Sequence, residues 1–209
     1  IDELRPEVAA LDDPTLRAHL AFTDLNVAIR SDRSKRVPLL KTAYHEARAA
    51  DNSVIATRAA SQLTQLFAIE EGDSKSALLW GEIARAEAQR EGVYDELIAR
   101  TELYVAIAYD IAGNWDEAAE GYERALEIAG RLEGEERLRV RGTVLTSLSG
   151  FEVARGNPDR ALRYADEAIE IYTQLYGEEN QDSLPVMANA ALALDSLGRF
   201  EEARVAFER

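Results

Sequence analysis

The 209-residue chain holds 39 acidic against 24 basic residues, a net charge of −15, and that charge repels nucleic-acid phosphates and anionic lipid over most of the surface. It contains no cysteine, so it has neither a disulfide framework nor a thiolate metal site, which fits a reducing cytoplasm. No run of about 18 apolar residues occurs, and Ile1-Asp2-Glu3-Leu4-Arg5-Pro6 lacks the charged start and apolar stretch of a signal peptide, so no membrane insertion is expected.

Residues 1–12 are expected to be a linker or capping segment, and residues 13–209 a single repeat domain. The start without methionine and the stop at Arg209 inside a predicted helix suggest a piece of a longer protein. Asp13-Pro14 reads as a cap and first-turn proline opening a helix through about Arg30. Its partner runs from Arg36 to Ala50, with Pro38 confined to the first turn because deeper it would break the hydrogen-bond ladder. The turn between them, Ser31-Asp32-Arg33-Ser34-Lys35, has no glycine, so this pair is the least regular.

Further on, one pattern recurs. Gly72 is followed by Ala77 and Ala84, Gly113 by Ala118 and Ala125, Gly156 by Ala161 and Ala168, and Gly198 by Ala203; the glycines lie 41, 43 and 42 residues apart. Each glycine separates two stretches with apolar residues at helical spacing, and a glycine just past a helix end supplies a left-handed conformation that other residues resist. The second helix then starts at Asp73 or Ser74, at Asn114 with Glu117 three positions on, or at Asn157 ahead of Pro158. Alanines seven apart lie two turns along one face, where a single methyl lets a neighbouring helix backbone approach closely. The reading is five helix pairs, the first degenerate and the fifth cut short. No segment alternates with period two, so the fold class is all-α. Such pairs cannot bury their apolar faces alone and stack into a solenoid, here a right-handed superhelix with a concave and a convex side.

Ala106-Ile107-Ala108-Tyr109 through Gly113-Asn114-Trp115-Asp116-Glu117-Ala118 and Tyr122-Glu123-Arg124-Ala125-Leu126 resembles a tetratricopeptide repeat in nearly every signature position. Ala191 through Leu197-Gly198-Arg199-Phe200-Glu201-Glu202-Ala203 and Phe207 repeats the match. Tyr176-Gly177-Glu178-Glu179-Asn180 to Pro185 is similar to the linker of the longer kinesin-light-chain variety. The segments at Gly72 and Gly156 lack the aromatic after the glycine, having Ser74 and Pro158. The arrangement also resembles, more loosely, the C-terminal repeat regions of large bacterial signalling proteins.

The resemblance implies that the first helix of each pair lines the concave groove. Counting back ten residues from each glycine gives Gln62, Leu103, Thr146 and Ala188; counting back six gives Leu66, Ile107, Gly150 and Leu192; Arg100, Tyr104 and Asn189 lie beside them. Chaperone-binding members hold a terminal carboxylate with basic and amide side chains at such places, and here most are apolar or small. Of the paired asparagines by which kinesin-light-chain members hold a peptide backbone, Asn189 alone remains. Leu66, Leu103, Ile107 and Leu192 either form an apolar groove for a partner helix or pack between neighbouring helices.

Trp80 and Trp115 are expected in the core rather than at a partner's surface. His19 and His45, on different predicted helices, suggest no metal site. The stretch from Arg30 to Arg48 is basic and that from Asp116 to Glu136 acidic; solvated helix faces are the expected reading, electrostatic docking the sharper one. Abundant glutamate on the second helices is assigned to solubility and ion pairs four residues apart. No nucleophile with a base, phosphate-cradling loop or carboxylate pocket is present, so neither an enzyme nor a cofactor is expected. The implied role is a cytoplasmic module of a larger bacterial signalling or regulatory protein that binds a protein or peptide along its groove. The rival is a structural element that self-associates or acts on an attached catalytic or DNA-binding domain.

Overall fold

The computed structural model describes residues 13–31, 33–91, 95–178 and 180–207; the expected linker or capping segment at residues 1–12 lies outside them. Among the described residues there are ten α-helices and no strand: α1 Pro14–Ser31, α2 Arg36–Ala49, α3 Ser53–Gln65, α4 Ser74–Glu91, α5 Asp95–Ile111, α6 Trp115–Ala129, α7 Gly134–Ala154, α8 Pro158–Tyr176, α9 Leu184–Ser196 and α10 Phe200–Phe207. The chain divides into two compact units, Ile1–Ala118 and Ala119–Arg209.

In the first unit each helix from α1 to α4 packs on its successor. Asp13 caps α1, its Oδ1 accepting from the N–H of Thr15 at 2.8 Å and of Leu16 at 3.2 Å. Pro38 is the third residue of α2, inside the first turn, where its missing N–H breaks no bond. Asn52 caps α3 through the N–H of Ile55, and Asp73 caps α4 through the N–H of Ser76. Those bonds to Ser76 hold the Asp73 carboxyl below its ordinary pKa. Small residues let the helices close up: Ala21, Ala43 and Ala59 form one cluster, while Leu40, Leu63, Leu66 and Trp80 fill a larger one beside Ala60 and Ala84. Trp80 meets the Tyr44 ring edge-on at 5.3 Å.

The second unit repeats the scheme. Successive helices α7 to α10 pack in turn, and Leu145, Ile171, Tyr172 and Val186 enclose Ala165, Ala168 and Ala190. Gly142 admits the Tyr172 ring, since a Cβ there would meet Tyr172 Cε1 at 3.1 Å. Gly177 ends α8, and Asn180 ties the linker together, donating to the Gly177 carbonyl at 2.6 Å and accepting from the Ser183 N–H at 3.0 Å.

The expected hinges and contacts are all in place. Gly72, Gly113, Gly156 and Gly198 have φ of 63, 77, 74 and 73°, and all seven alanines of the repeating pattern are buried. At Gly113 the following N–H, of Asn114, returns to the Tyr109 carbonyl five residues back at 2.9 Å; Asn157 to Glu152 and Arg199 to Leu194 do the same, the hydrogen bonds that close a Schellman motif. At Gly72 the chain differs. The Asp73 N–H bonds to the Phe67 carbonyl, six residues back, because α3 ends in a π-helical turn over Leu66–Glu71, which accommodates one extra residue.

Two glycines separate the two kinds of constraint. Gly113→Ala meets nothing within 4 Å but forces a side chain into the left-handed region at about 1–2 kcal/mol. Gly81→Ala has an ordinary helical position, yet its methyl would overlap Val105 Cγ2, and overpacking of this kind costs about 1–3 kcal/mol. Urea denaturation is expected to show both losses; wild-type stability for Gly81→Ala would mean that α4 and α5 are less closely seated.

Candidate partner-binding groove

In addition to its neighbours along the chain, α3 packs on α5, and α7 packs on α9. Within each unit the first helices of successive pairs therefore form a row, and the surface of that row is the candidate groove. In the first unit it contains a cleft of about 400 Å³ with Arg58, Gln62 and Gln65 on the α3 wall and Glu96, Arg100 and Tyr104 on the α5 wall. Three of the sequence-predicted residues, Gln62, Arg100 and Tyr104, come together here.

The cleft is polar and chemically uneven. Arg100 Nε donates to Glu96 Oε1 at 3.0 Å; burial disfavours its charge, but Tyr104 and Glu96 more than offset this and raise its pKa above the ordinary value. Arg58 is exposed and has no ion-pair partner among the described residues. Gln62 Oε1 is buried and accepts no hydrogen bond among the described residues. Such an unmatched acceptor costs about 1–3 kcal/mol.

In the second unit Thr146, Gly150 and Asn189 come together where α7 meets α9. Asn189 Nδ2 donates to the Thr146 carbonyl at 3.0 Å, and Thr146 Oγ1 donates to the Gly142 carbonyl at 2.9 Å. A Cβ on Gly150 would stand 3.3 Å from Asn189 Nδ2, so glycine keeps room for that amide. Ala188 is half-buried and Leu192 is 48% exposed.

The apolar candidates divide. Ile107 is half-buried against the small cluster of Ala68, Ala77 and Ala108, whereas Leu66 and Leu103 are buried, at 5% and 1% exposure, and contribute to the core rather than to a surface a partner can touch. For Leu66 the reason is the π-turn. Its extra residue makes a fixed count back from Gly72 fall one residue short, so exposed Gln65 takes the place that Ile107, Gly150 and Leu192 hold in the other pairs. By the same shift Gln62 takes the place of Tyr104 and Asn189. Arg58 and Gln65 were missed for this reason, and no residue type in α3 announces the turn.

Other expectations are corrected or refined. Trp80 is in the core, but Trp115 is 54% exposed, because it is the first residue of α6, at the hinge end of its pair. Asn157 precedes Pro158 as expected but makes no capping bond; its Nδ2 donates instead to Glu152 Oε2 at 2.8 Å. Not all glutamates are solvated. Glu87, Glu102 and Glu152 are 6%, 5% and 2% exposed, each held by side chains from another helix. Glu102 receives Arg85 Nε at 2.6 Å and a terminal Arg85 nitrogen at 2.7 Å; Glu87 receives Tyr44 and Arg48; Glu152 receives Arg160 and Asn157. In the basic stretch Arg36 pairs with Glu70 and Arg48 with buried Glu87, whereas in the acidic one exposed Glu120 and Glu127 pair with Arg124 and Arg131 four residues on, as solvated faces do. His19 and His45 are exposed, and no cluster of metal-ligating side chains occurs among the described residues.

Residues 140–209 match the family model of the tetratricopeptide repeat. Over 62 residues the chain is 40% identical to a clustered mitochondria protein homolog of Ajellomyces capsulatus and 39% identical to that of Aspergillus niger. Those matches span 30% of this chain and 5% of each relative. Among solved structures, BtubC from P. vanneervenii superposes with a TM-score of 0.78 at 22% identity, covering 100% of this chain and 84% of that one. The nearly identical kinesin-light-chain TPR-like repeats of Podosopora anserina give 0.63 at 18% identity, with 94% of each chain covered. At these identities the likeness shows the fold: an all-α solenoid of tetratricopeptide-like helix pairs.

The buried Arg85–Glu102 pair holds α4 to α5, one wall of the cleft. Glu102→Gln removes the charge and keeps the shape, leaving Glu82 as the carboxylate that still pairs with Arg85, and is expected to destabilise by about 1.5–3 kcal/mol, the worth of hydrogen bonds to a charged group. Urea denaturation should show the loss with little dependence on salt; a wild-type midpoint would reduce this pair to decoration.

Proposed function

We propose that this array of tetratricopeptide repeats is a protein–protein interaction module that binds an extended peptide or a helix of a partner along the row of first helices. Tetratricopeptide repeats generally mediate protein–protein interaction, and the scaffold is generally non-catalytic. The observation that carries the reading is the α3/α5 cleft. Its walls carry exposed Arg58 and Gln65 beside Gln62, whose Oε1 accepts no hydrogen bond among the described residues, and Arg100, held by Glu96, on two elements fixed by buried alanines and an ion pair. The curated relatives carry their matching segment in chains about twenty times its length, which supports a place within a larger protein. We extend the reading to a cytoplasmic, signalling setting in a bacterium; the absence of cysteine suits that compartment, and no helix among the described residues is long and apolar enough to cross a membrane.

A second reading, self-association, has its own observation: Leu184, Leu192 and Phe200 of the second unit are 53%, 48% and 65% exposed. Light scattering over a concentration series tests it, a constant monomer mass deciding against it. For the groove, Gln65→Trp fills the cleft from an exposed position, and Leu79→Glu changes a 60% exposed residue on the second helix of the same pair. Peptide capture is expected to fall about tenfold or more with the first, since one blocked contact of about 1.4 kcal/mol suffices, and to survive the second, with both variants keeping the wild-type melting temperature. The reverse pattern moves the site to the other face.

A further inference from the structure

We infer that the gap between the second helices α8 and α10 is a binding site of its own, which takes an arginine side chain of a basic partner peptide with its guanidinium on Asp166. The site lies away from the row of first helices and does not rest on the groove reading.

Comparison of successive pairs supplies the first reason. Counted from the hinges Gly156 and Gly198, positions in the last two pairs correspond one to one. In the earlier pair the chain fills this gap itself. Arg160, four residues past its hinge, reaches buried Glu152 of α7 at 3.0 Å and donates to the Tyr164 hydroxyl at 3.5 Å, while Glu123 of α6 adds its field. The Tyr164 ring packs on the core of the second unit. In the last pair Glu202 stands for Arg160, Ala206 for Tyr164, Leu194 for Glu152 and Asp166 for Glu123. The cation and the ring are both missing, and a cleft of about 440 Å³ lies between α8 and α10 over α9.

Charge supplies the second. Asp166 lines the cleft and makes no hydrogen bond or ion pair among the described residues. Arg199, on the same lining, is held by both carboxylate oxygens of Glu202 at 2.8 and 2.7 Å and acts on Asp166 through its field alone. Crowding by the neighbouring side chains strips water from the Asp166 carboxyl and raises its pKa above the ordinary value against that field. Such a carboxylate is short of counter-charge, and a cation entering the cleft supplies it. The net charge of −15 draws a basic partner to the surface, and the unpaired carboxylate decides where it stops.

Shape supplies the third. Leu162, Leu194 and Val205 give the cleft apolar walls, and Ala206 leaves the space that a tyrosine takes one pair earlier. The methylenes of an arginine lie along such walls while its planar fork meets both oxygens of a carboxylate. Its guanidinium is more weakly hydrated than an ammonium, so entry into a half-apolar cleft costs it less than it costs lysine.

Titration of the whole 209-residue chain, followed by two-dimensional NMR, tests the proposal with short peptides that share a basic frame and differ at one central position: arginine, lysine or the uncharged isostere citrulline. The arginine peptide is expected to shift the backbone amides around Asp166 and Ala206. It should bind about tenfold or more tighter than the citrulline peptide, since charge-assisted hydrogen bonds are worth at least that factor, with lysine between the two. Asp166→Asn is expected to weaken the arginine peptide about tenfold on the same grounds. Asp195→Asn removes an exposed charge of α9 outside the cleft and should leave the affinity unchanged. Ala206→Tyr puts back the ring that Tyr164 supplies one pair earlier and is expected to close the site while keeping the melting temperature; should it not fold, the exposed and isosteric Asp166→Asn carries the test. Gln65→Trp, which blocks the α3/α5 cleft, should leave this binding intact, so the two readings fail separately. Equal affinity for the arginine and citrulline peptides, equal loss from Asp195→Asn and Asp166→Asn, full affinity in a folded Ala206→Tyr, amide shifts confined to α3 and α5, or no binding at all overturns the inference.

Discussion

Close approach of helix backbones at buried alanines is the constraint on which the rest of the structure depends. A methyl group is small enough to let two helices meet at the short end of the usual interaxial range, and an alanine recurs at the same place after each of the four hinge glycines. Ala77, Ala118, Ala161 and Ala203 each follow a hinge by five residues and are all buried. The hinge glycines are the second half of the device: they turn the chain within two residues, so the second helix starts in the register that brings its alanine against the first. The Ser149 hydroxyl, which donates to the Ala161 carbonyl at 3.0 Å across α7 and α8, shows how near that approach is, since a side chain of this length reaches a neighbouring backbone only when the helices nearly touch.

A core built largely of alanine buries little apolar area per residue, and area sets the hydrophobic contribution. The buried carboxylates belong to this context. Glu87, Glu102 and Glu152 each receive at least two donors from side chains on neighbouring helices or the hinge, an arrangement that satisfies a buried charge without making the pair a large net source of stability. Its value is orientational. A bidentate Arg85–Glu102 contact accepts one relative placement of α4 and α5, whereas methyl groups alone tolerate sliding. Small residues thus fix how near the helices come, and the ion pairs fix where along one another they stop.

Much of this was legible in the sequence because the hinges and contacts each demand a residue type. A left-handed turn wants glycine, a first-turn position accepts proline, and a backbone contact wants alanine; Gly72, Pro38 and Ala125 announce themselves whatever surrounds them. The groove was legible only where its position followed from such markers. Arg100 and Tyr104 lie behind Gly113 in a regular helix, and simple counting finds them. Leu66 was misplaced because the π-turn has no residue signature: it reflects an extra residue accommodated in the helix, visible only as a hydrogen bond that spans six residues instead of five. The buried glutamates were hidden for a related reason. Whether a carboxylate is solvated or enclosed depends on donors brought from another helix, and nothing local in Glu102 tells it from Glu96, which is half-exposed one and a half turns earlier.

The π-turn therefore links the fold to the binding surface. With it, the N-terminal part of α3 is rotated by roughly one residue, about 100° about the helix axis at 3.6 residues per turn, relative to a helix counted from Gly72. That rotation turns Leu63 and Leu66 into the core and brings Gln62 and Gln65 to the cleft, giving the first unit a polar wall where a regular helix would have offered leucines. The same insertion that perturbs the packing ladder thus decides which α3 residues face the groove.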